Sequence, residues 1–340
     1  MNEPSSAFRR LRAVVTPASV RRARVLALSG DHDQLLALTR DRLKYGLPPV
    51  DVLVALFCPA LREIGEMWHA NQIDPSQEAT ASLACDYVLD QVWPSRPSAD
   101  PRRGTLLVAA PLGEQHSFAA RLACLGLWTE GWLVLDLGTD VSVSDVEAAL
   151  ASTPNLNGVL LHAAQTSCLP AASAMIDAVW RHRIGVTVGG RGFGVQGCLG
   201  LAIGASAWAA APGREASIMM ERAPVEGTFP HAPARAACAE VASRTGAMVA
   251  SREPVDDVTL PDLASSSLHP TRFLAGELAA AVLTEAPDVL ADAVRWYREF
   301  LVARNVSTAS LGAALGGLTS GLADVAECAG PLAAAQAVLA

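Results

Sequence analysis

The stretch that decides the fold is TLLVAAPLGEQHSFAARLACLGLW, residues 105–128. Residues 105–111 are an apolar run of strand length, Gly113 allows a turn, and residues 117–128 have the apolar spacing of a helix. A strand joined to a helix by a short loop is the repeating unit of parallel sheets. The loop carries Glu114 and His116 at the carboxyl end of the strand, where open α/β sheets bind their ligands.

His116 has the properties of a single protein ligand to a cofactor. Glu114, two residues earlier, can accept a hydrogen bond from one ring nitrogen, which fixes the tautomer and makes the other nitrogen a better metal ligand. One histidine without a second histidine, cysteine or aspartate nearby is a poor zinc site. The pattern therefore favours a cofactor that brings its own equatorial ligands to a metal. A surface-loop histidine without any ligand is the alternative.

The wider stretch GEQHSFAARLACLGLWTEGWLVLDLGTDVSVSDVEAAL, residues 113–150, resembles a cobalamin-binding domain. The pattern of that family is Asp/Glu-x-His-x-x-Gly, followed by a strand that ends in DLG. The resemblance implies that His116 replaces the nucleotide base below cobalt, with Glu114 behind it, and that Gly189 and Gly190 form the turn after strand four. Two positions depart from the family. The motif glycine is Ala119, and the serine usual in the nucleotide-tail pocket is His162, which narrows or rewires that pocket.

The pattern along the chain predicts an α/β plus all-α fold. Residues 18–94 have helical spacing and predict a helical-bundle cap, in which Asp74 and Gln77 form a capping box. Residues 102–222 alternate between strand-like and helix-like runs, which predicts a Rossmann-like parallel sheet. Its strands are expected at 105–111, 132–137, 158–163, 185–190 and, more weakly, 205–209. Residues 223–268 have no clear period and are expected to be an irregular linker, and residues 269–340 a C-terminal helical module.

A second motif lies in the bundle, in PALREIGEMWHANQIDPSQEA, residues 59–79. It resembles the helical cap of cobalamin-dependent light sensors, whose pattern is Trp-x9-Glu-His. The resemblance implies that Trp68 covers the upper axial group of adenosylcobalamin, that Glu78 helps to hold the adenosyl group, and that His69 can bind cobalt from above after light. Ala79 stands where the family has histidine. The alternative is that Trp68 and His69 are ordinary residues at a helix end.

The C-terminal stretch AVRWYREFLVARNVSTASLGAALGGL, residues 293–318, resembles in its layout the globin-like module of photocobilins, which bind cobalamin and a linear tetrapyrrole. The resemblance implies a second chromophore, biliverdin. Trp296, Tyr297 and Phe300 would wall it, and the groups that would meet its carboxylates are His269, Arg272, Arg295 and Arg298. The alternative is that the aromatic stripe is simply the core of a helical pair.

Composition narrows the class of protein. The net charge is −8 and Lys44 is the sole lysine, so the long-range field does not favour nucleic acid. No apolar run reaches the roughly 18 residues of a membrane span, and no hydrophobic signal region is found, so we expect a cytoplasmic protein. The seven cysteines include no Cys-x-x-Cys pair, which predicts neither a disulfide framework nor a structural zinc site.

These observations predict a light sensor that binds adenosylcobalamin and has no catalytic residues of its own. Breakage of the cobalt–carbon bond by light would change its conformation, and the signal would pass through altered self-association or to an output protein that the sequence does not identify. One alternative is a corrinoid carrier protein for a methyltransferase. Another is a cobalamin-responsive transcription regulator, which only the arginine-rich N-terminus supports.

Overall fold

The computed structural model describes residues 6–93, 103–211, 214–222, 230, 232–251 and 269–339. Along these ranges the chain forms a helical bundle, a parallel sheet with helices on both faces, and a second group of helices at the C-terminus. The fold class predicted from the sequence is confirmed. None of the described helices is both long and apolar enough to cross a membrane.

The bundle begins earlier than the sequence predicts, with a helix that precedes residue 18. Its helices are α1 (Ser6–Val14), α2 (Pro17–Leu28), α3 (His32–Leu43), α4 (Pro49–His69) and α5 (Pro75–Val92). α4 starts on a proline, which loses no hydrogen bond at that position, and it buries Leu53, Leu56, Phe57 and Ile64 along one face. α5 begins with the predicted capping box, in which Asp74 and Gln77 cap each other's backbone.

The sheet has five parallel strands in the order β2-β1-β3-β4-β5. They are β1 (Thr105–Ala109), β2 (Leu133–Asp136), β3 (Leu156–His162), β4 (Val186–Gly189) and β5 (Ala207–Ala209), and the helices that alternate with them are α6 (Phe118–Thr129), α7 (Val143–Ser152), α8 (Leu169–Arg181), α9 (Cys198–Ala202) and α10 (Arg214–Arg222). The chain leaves β1 towards one edge and returns to add β3 on its other side. The switch point of the topology therefore lies between β1 and β3, where such sheets bind ligands.

The C-terminal module is larger than predicted. It contains α11 (Ala232–Ser251), α12 (Pro270–Leu283), α13 (Asp288–Ala303), α14 (Ala309–Gly321) and α15 (Ala329–Leu339). The expectation of an irregular linker over 223–268 is wrong for residues 232–251, because an alanine-rich segment has high helix propensity even when its apolar residues define no clear face. Residues 223–229, 231 and 252–268 lie outside the described residues.

The three parts of the chain share contacts around the carboxyl edge of the sheet. One continuous core joins the sheet to the C-terminal module, and α12 packs on residues Thr166–Cys168, which follow β3. The bundle is attached to α6 by Arg121, whose guanidinium pairs with Asp86 at 2.5 Å and also with Asp90. The loop that carries His116 precedes α6, so it lies where bundle and sheet meet.

Candidate functional site

The loop after β1 is held by the segment that follows β2. Pro111 forms a single parallel bridge with Val141. The amide of Gly113 donates to Oδ1 of Asp140 at 2.7 Å, and the amide of Asp140 donates to the carbonyl of Glu114 at 2.9 Å. Gly113 has a φ of +89°, which glycine adopts without strain. The backbone at Glu114 is therefore fixed by the loop itself and by Asp140.

The Glu114 carboxylate is the centre of the site. It is fully buried, at 0% exposure. Its Oε1 accepts from the backbone amide of His116 at 2.9 Å and from the ring Nδ1 at 2.5 Å. Its Oε2 accepts from the amides of Ala164 at 2.5 Å and Gln165 at 3.1 Å, just beyond β3. Four donors therefore hold one carboxylate across the switch point between β1 and β3.

This arrangement decides the chemistry of the imidazole. A carboxylate can only accept, so Nδ1 of His116 carries a proton, and in the neutral ring the lone pair lies on Nε2. The side chain of His116 is 52% exposed, and no described residue makes a hydrogen bond to Nε2. Among the described residues no cluster of three or more histidine, cysteine or acidic side chains could hold a metal ion. His116 is thus a single exposed imidazole whose Nδ1 is held by a buried carboxylate.

The hydrogen bond between Glu114 and His116 shifts the pKa values of both groups. Burial acts to raise the pKa of Glu114, but the hydrogen bonds from His116 and from Ala164 outweigh it and lower the pKa to about 2. The hydrogen bond to Glu114 raises the pKa of His116 against its partial burial. The charge of Glu78 also raises that pKa and the charge of Arg191 lowers it. Glu78, on α5 of the bundle, is therefore near enough for its charge to act on the imidazole.

Two more of the predicted residues, His162 and Gly190, lie at the ends of β3 and β4. His162 is buried at 8% exposure, and its Nδ1 has no hydrogen-bond partner. Burial lowers its pKa to about 4, so the ring is neutral at pH 7. Gly190 has a φ of +98°, and a Cβ there would lie 2.3 Å from the carbonyl oxygen of Ala163 and 2.8 Å from Nε2 of His162. The ring of His162 therefore meets the Gly190 turn through Nε2, while Nδ1, a buried nitrogen without a partner, is a group that a polar ligand atom could satisfy.

Two further predicted residues border these features. Ala119 is half-buried in the first turn of α6. Gly189 ends β4 and pairs in register with His162 and Ala209 of the neighbouring strands. Both lie at the carboxyl edge of the sheet, together with Glu114 and His116. The structure therefore brings the residues predicted for the sheet domain to one edge.

Trp68 and His69 are placed against the C-terminal module. The ring of Trp68 lies 5.2 Å from that of Phe300, and Nε2 of His69 donates to the carbonyl of Trp296 at 2.9 Å. Arg304 donates to the carbonyl oxygens of Trp68 at 2.6 Å and His69 at 2.9 Å. Because Nε2 is the donor in its hydrogen bond, the lone pair of the neutral ring lies on Nδ1, and coordination of a metal by His69 stays a prediction.

The residues predicted for a bilin are mostly engaged with one another. Tyr297 is fully buried and stacks on Phe273 at 5.1 Å, while Trp296 stacks on Phe300 at 5.5 Å. Arg272 and Arg295 are exposed, and Arg295 pairs with Asp292 on its own helix. His269 is the residue before α12. In this arrangement the aromatic stripe packs as a helical core, and biliverdin binding remains a prediction.

Sequence reasoning missed the groups that support the site. The amides of Ala164 and Gln165 are backbone donors, which no sequence pattern reveals. Arg191 follows the predicted Gly189–Gly190 turn, and its Nε donates to the carbonyl of Ala164 at 3.1 Å. Its position directly after that turn is the one signal that could have found it. Arg304 has no such signal, because it meets Trp68 across 236 positions of sequence.

Replacement of Glu114 by glutamine should lower the free energy of unfolding and the pKa of His116. An amide offers one acceptor oxygen where the carboxylate uses two, so at least one buried amide N–H loses its partner, which costs about 1–3 kcal/mol. NMR titration of His116 and urea denaturation measure the two effects. Glu147→Gln, which removes an exposed carboxylate paired with Arg181 at 3.3 Å, is the matched control.

The stability difference between wild type and Glu114→Gln should depend on pH. The pKa of Glu114 is lowered in the folded state, from 4.5 to about 2. Its contribution to stability is therefore complete above pH 4.5 and is lost as the pH falls towards 2. The difference should shrink over that interval. A constant difference down to pH 2 would contradict the charged role of Glu114.

The chain is similar to proteins described as B12-binding or corrinoid proteins. Residues 20–92 match a family described as "B12 binding domain". Monomethylamine corrinoid protein 2 of Methanosarcina acetivorans is 26% identical over 107 residues, which are 31% of this chain and 49% of the relative, so the match spans about half of that protein. Trimethylamine corrinoid protein 1 of the same organism is 24% identical over 168 residues, 47% of this chain and 78% of the relative.

A solved structure supports the same fold. The monomethylamine corrinoid protein of Methanosarcina barkeri superposes with a TM-score of 0.50 at 20% sequence identity, over 59% of this chain and 96% of that protein. Identity at this level is evidence of a shared fold alone. The match extends over nearly all of that protein and leaves about two fifths of this chain outside it.

Proposed function

We propose that this chain binds a cobalamin, that Nε2 of His116 would be the protein ligand to its cobalt, and that the chain serves as a corrinoid carrier protein. The observation that carries the proposal is the hydrogen bond of 2.5 Å between Nδ1 of His116 and the buried Glu114, at the switch point of a parallel sheet. The match of residues 20–92 to a B12 binding domain supports it independently.

Each part of the site has a task in holding the cofactor. Glu114 orients the imidazole and strengthens Nε2 as a ligand. His162, Gly189, Gly190 and Ala119, at the same edge of the sheet, would contact a further part of the cobalamin. Trp68 and Glu78, from the bundle, would contact the group that the cobalt carries. When bound, the cofactor supplies the chemistry, the making and breaking of a bond between cobalt and carbon.

The carrier role follows from what the chain itself offers. The residues around His116 would orient the imidazole and hold the cofactor. Neither task requires a protein nucleophile or a general base. The relatives are named as corrinoid proteins for monomethylamine and trimethylamine. By analogy, the chain would carry an alkyl group on cobalt for a separate methyltransferase and would not be an enzyme by itself.

A light sensor that holds adenosylcobalamin is the second candidate. The observation in its favour is the attachment of the end of α4 to α13, where Arg304 holds the carbonyl oxygens of Trp68 and His69. A cap tied to a further module can pass a difference between two loaded states to a distant surface. Self-association that changes with light, an output partner and biliverdin in the C-terminal module belong to this candidate.

The two candidates differ in their response to light. Both require the apoprotein to retain methylcobalamin and adenosylcobalamin in the dark, with the spectrum of a histidine-coordinated cobalt. In the sensor, green light on the adenosylcobalamin complex should also change its elution volume on a sizing column, whereas a carrier should keep the same size. If the protein retains neither methylcobalamin nor adenosylcobalamin, both candidate functions are wrong.

Two additions extend the same experiment to the finer predictions. His69→Ala should alter the spectrum of the light product only if His69 becomes the upper ligand. Added biliverdin should give a saturable, red-shifted absorbance that survives gel filtration only if the C-terminal module binds it. Identical light products, or no retained biliverdin in the folded protein, would remove those two roles.

A further inference from the structure

We infer that Glu277, on α12 of the C-terminal module, is a positioning residue for the imidazole of His116. The inference rests on the proposed function, since it assigns a purpose to the geometry of the proposed cobalt ligand. Glu277 lies far from His116 in sequence, and it acts through the segment that follows β3. No motif in the sequence points to it.

The first step is the contact between Glu277 and that segment. Glu277 is buried, at 5% exposure. Its Oε2 accepts from Oγ1 of Thr166, and the carboxylate also accepts from the backbone amide of Ser167. Burial raises the pKa of Glu277 to about 7, although both hydrogen bonds lower it. A buried carboxyl group is expensive unless it is hydrogen-bonded, so these two donors are the groups that Glu277 holds in place.

The second step is the close packing of α12 on the same segment. A Cβ at Gly276 would lie 3.0 Å from Cβ of Ser167, so the helix approaches the segment as near as a glycine allows. Thr166–Cys168 forms a single turn of 3-10 helix that leads directly into α8. The carboxyl group of Glu277 and the surface at Gly276 together fix the position of this turn from the C-terminal side.

The third step connects the turn to the ligand. The amides of Ala164 and Gln165, immediately before Thr166, donate to Oε2 of Glu114. The other oxygen of Glu114 accepts from Nδ1 of His116. On its far side the segment is held by Arg191, which donates to the carbonyl of Ala164. A continuous series of hydrogen bonds and one short stretch of backbone therefore runs from α12 to the imidazole.

The consequence is that the C-terminal module supports the cofactor site through the segment that follows β3. If the Glu277 carboxyl is removed, Thr166 and Ser167 lose their acceptor and the segment is free to shift. The amides of Ala164 and Gln165 then no longer meet Glu114 at their present distances. His116 keeps its carboxylate partner, but that partner is less well fixed. We therefore expect a smaller effect than loss of Glu114 itself.

Binding of methylcobalamin in the dark tests this in the full chain. Glu277→Ala and Thr166→Val should each raise the Kd about 3- to 10-fold, less than the 10- to 100-fold typical of a residue bonded directly to a metal-binding histidine. Glu277→Gln keeps an acceptor oxygen and should return the Kd to within about 2-fold of wild type. Glu299→Gln, an exposed carboxylate on α13, is the control.

A measurement on the apoprotein separates this inference from the proposed function. In 15N-labelled protein, hydrogen exchange at the Ala164 and Gln165 amides should be about 10-fold faster in Glu277→Ala and Thr166→Val, because their acceptor is less well fixed. If Glu277→Ala or Thr166→Val folds and leaves both the exchange and the Kd unchanged, the inference is wrong. If wild type fails to bind methylcobalamin, the proposed function fails, and the exchange rates alone decide the role of Glu277.

Discussion

His116→Ala is expected to lose cobalamin retention by a factor on the order of 100 or more, because it removes the ligand itself and not a supporting group, whose loss costs 10- to 100-fold. Alanine also leaves the Oε1 atom of the buried Glu114 without its ring partner. Any cobalamin that the variant retains should show a spectrum without histidine coordination. Equilibrium titration with methylcobalamin, followed by gel filtration, measures both quantities.

His182→Ala is the matched control for this variant. His182 is an exposed histidine that ends α8, and it lies outside the site. It should bind methylcobalamin like wild type. An unchanged affinity and spectrum in His116→Ala would contradict the assignment of the ligand, whatever the fold of the chain.

Gly190→Ala is expected to cost roughly 3 kcal/mol or more of folding free energy, for two reasons that add. The residue has a φ of +98°, a conformation that a side chain strains, and the new Cβ would lie 2.3 Å from the carbonyl oxygen of Ala163. That oxygen also accepts from the amide of Gly192 at 2.9 Å, so it is not free to move. Urea denaturation followed by circular dichroism measures the loss.

The neighbouring glycine provides the control. A Cβ at Gly189 would meet its nearest atom, the carbonyl oxygen of Ala209, at 3.7 Å, which is ordinary contact. Gly189→Ala should therefore cost about 1 kcal/mol or less. Similar losses in the two variants would contradict the backbone geometry at the end of β4.

The sequence was sufficient where structure depends on neighbours along the chain. Residues 105–128 predicted a strand, a loop and a helix, and β1 and α6 occupy those positions. The spacing of Glu114 and His116 predicted their hydrogen bond, because two residues on one loop can meet without help from the rest of the fold. The Asp74–Gln77 capping box is equally local.

The sequence was insufficient where a contact joins distant segments. Thr166 meets Glu277 across 111 positions, and Ala164 meets Glu114 across 50. A pattern that repeats every few residues carries no information about such pairs. The hydrogen bond from Nε2 of His69 to the carbonyl of Trp296 is another such contact, across 227 positions of sequence. The helix at residues 232–251 was not predicted for another reason, since a helix rich in alanine has no distinct apolar face.

The central claim is that Nε2 of His116 coordinates cobalt, and electron paramagnetic resonance of the cob(II)alamin complex tests it most directly. The unpaired electron on cobalt couples to the nucleus of the axial nitrogen. Protein labelled uniformly with 15N and loaded with unlabelled cob(II)alamin should therefore show doublet splitting, and unlabelled protein triplet splitting. Loss of that splitting in His116→Ala would identify the residue. Triplet splitting in the labelled wild-type complex would mean that the cofactor's own base is the ligand, and would contradict the account.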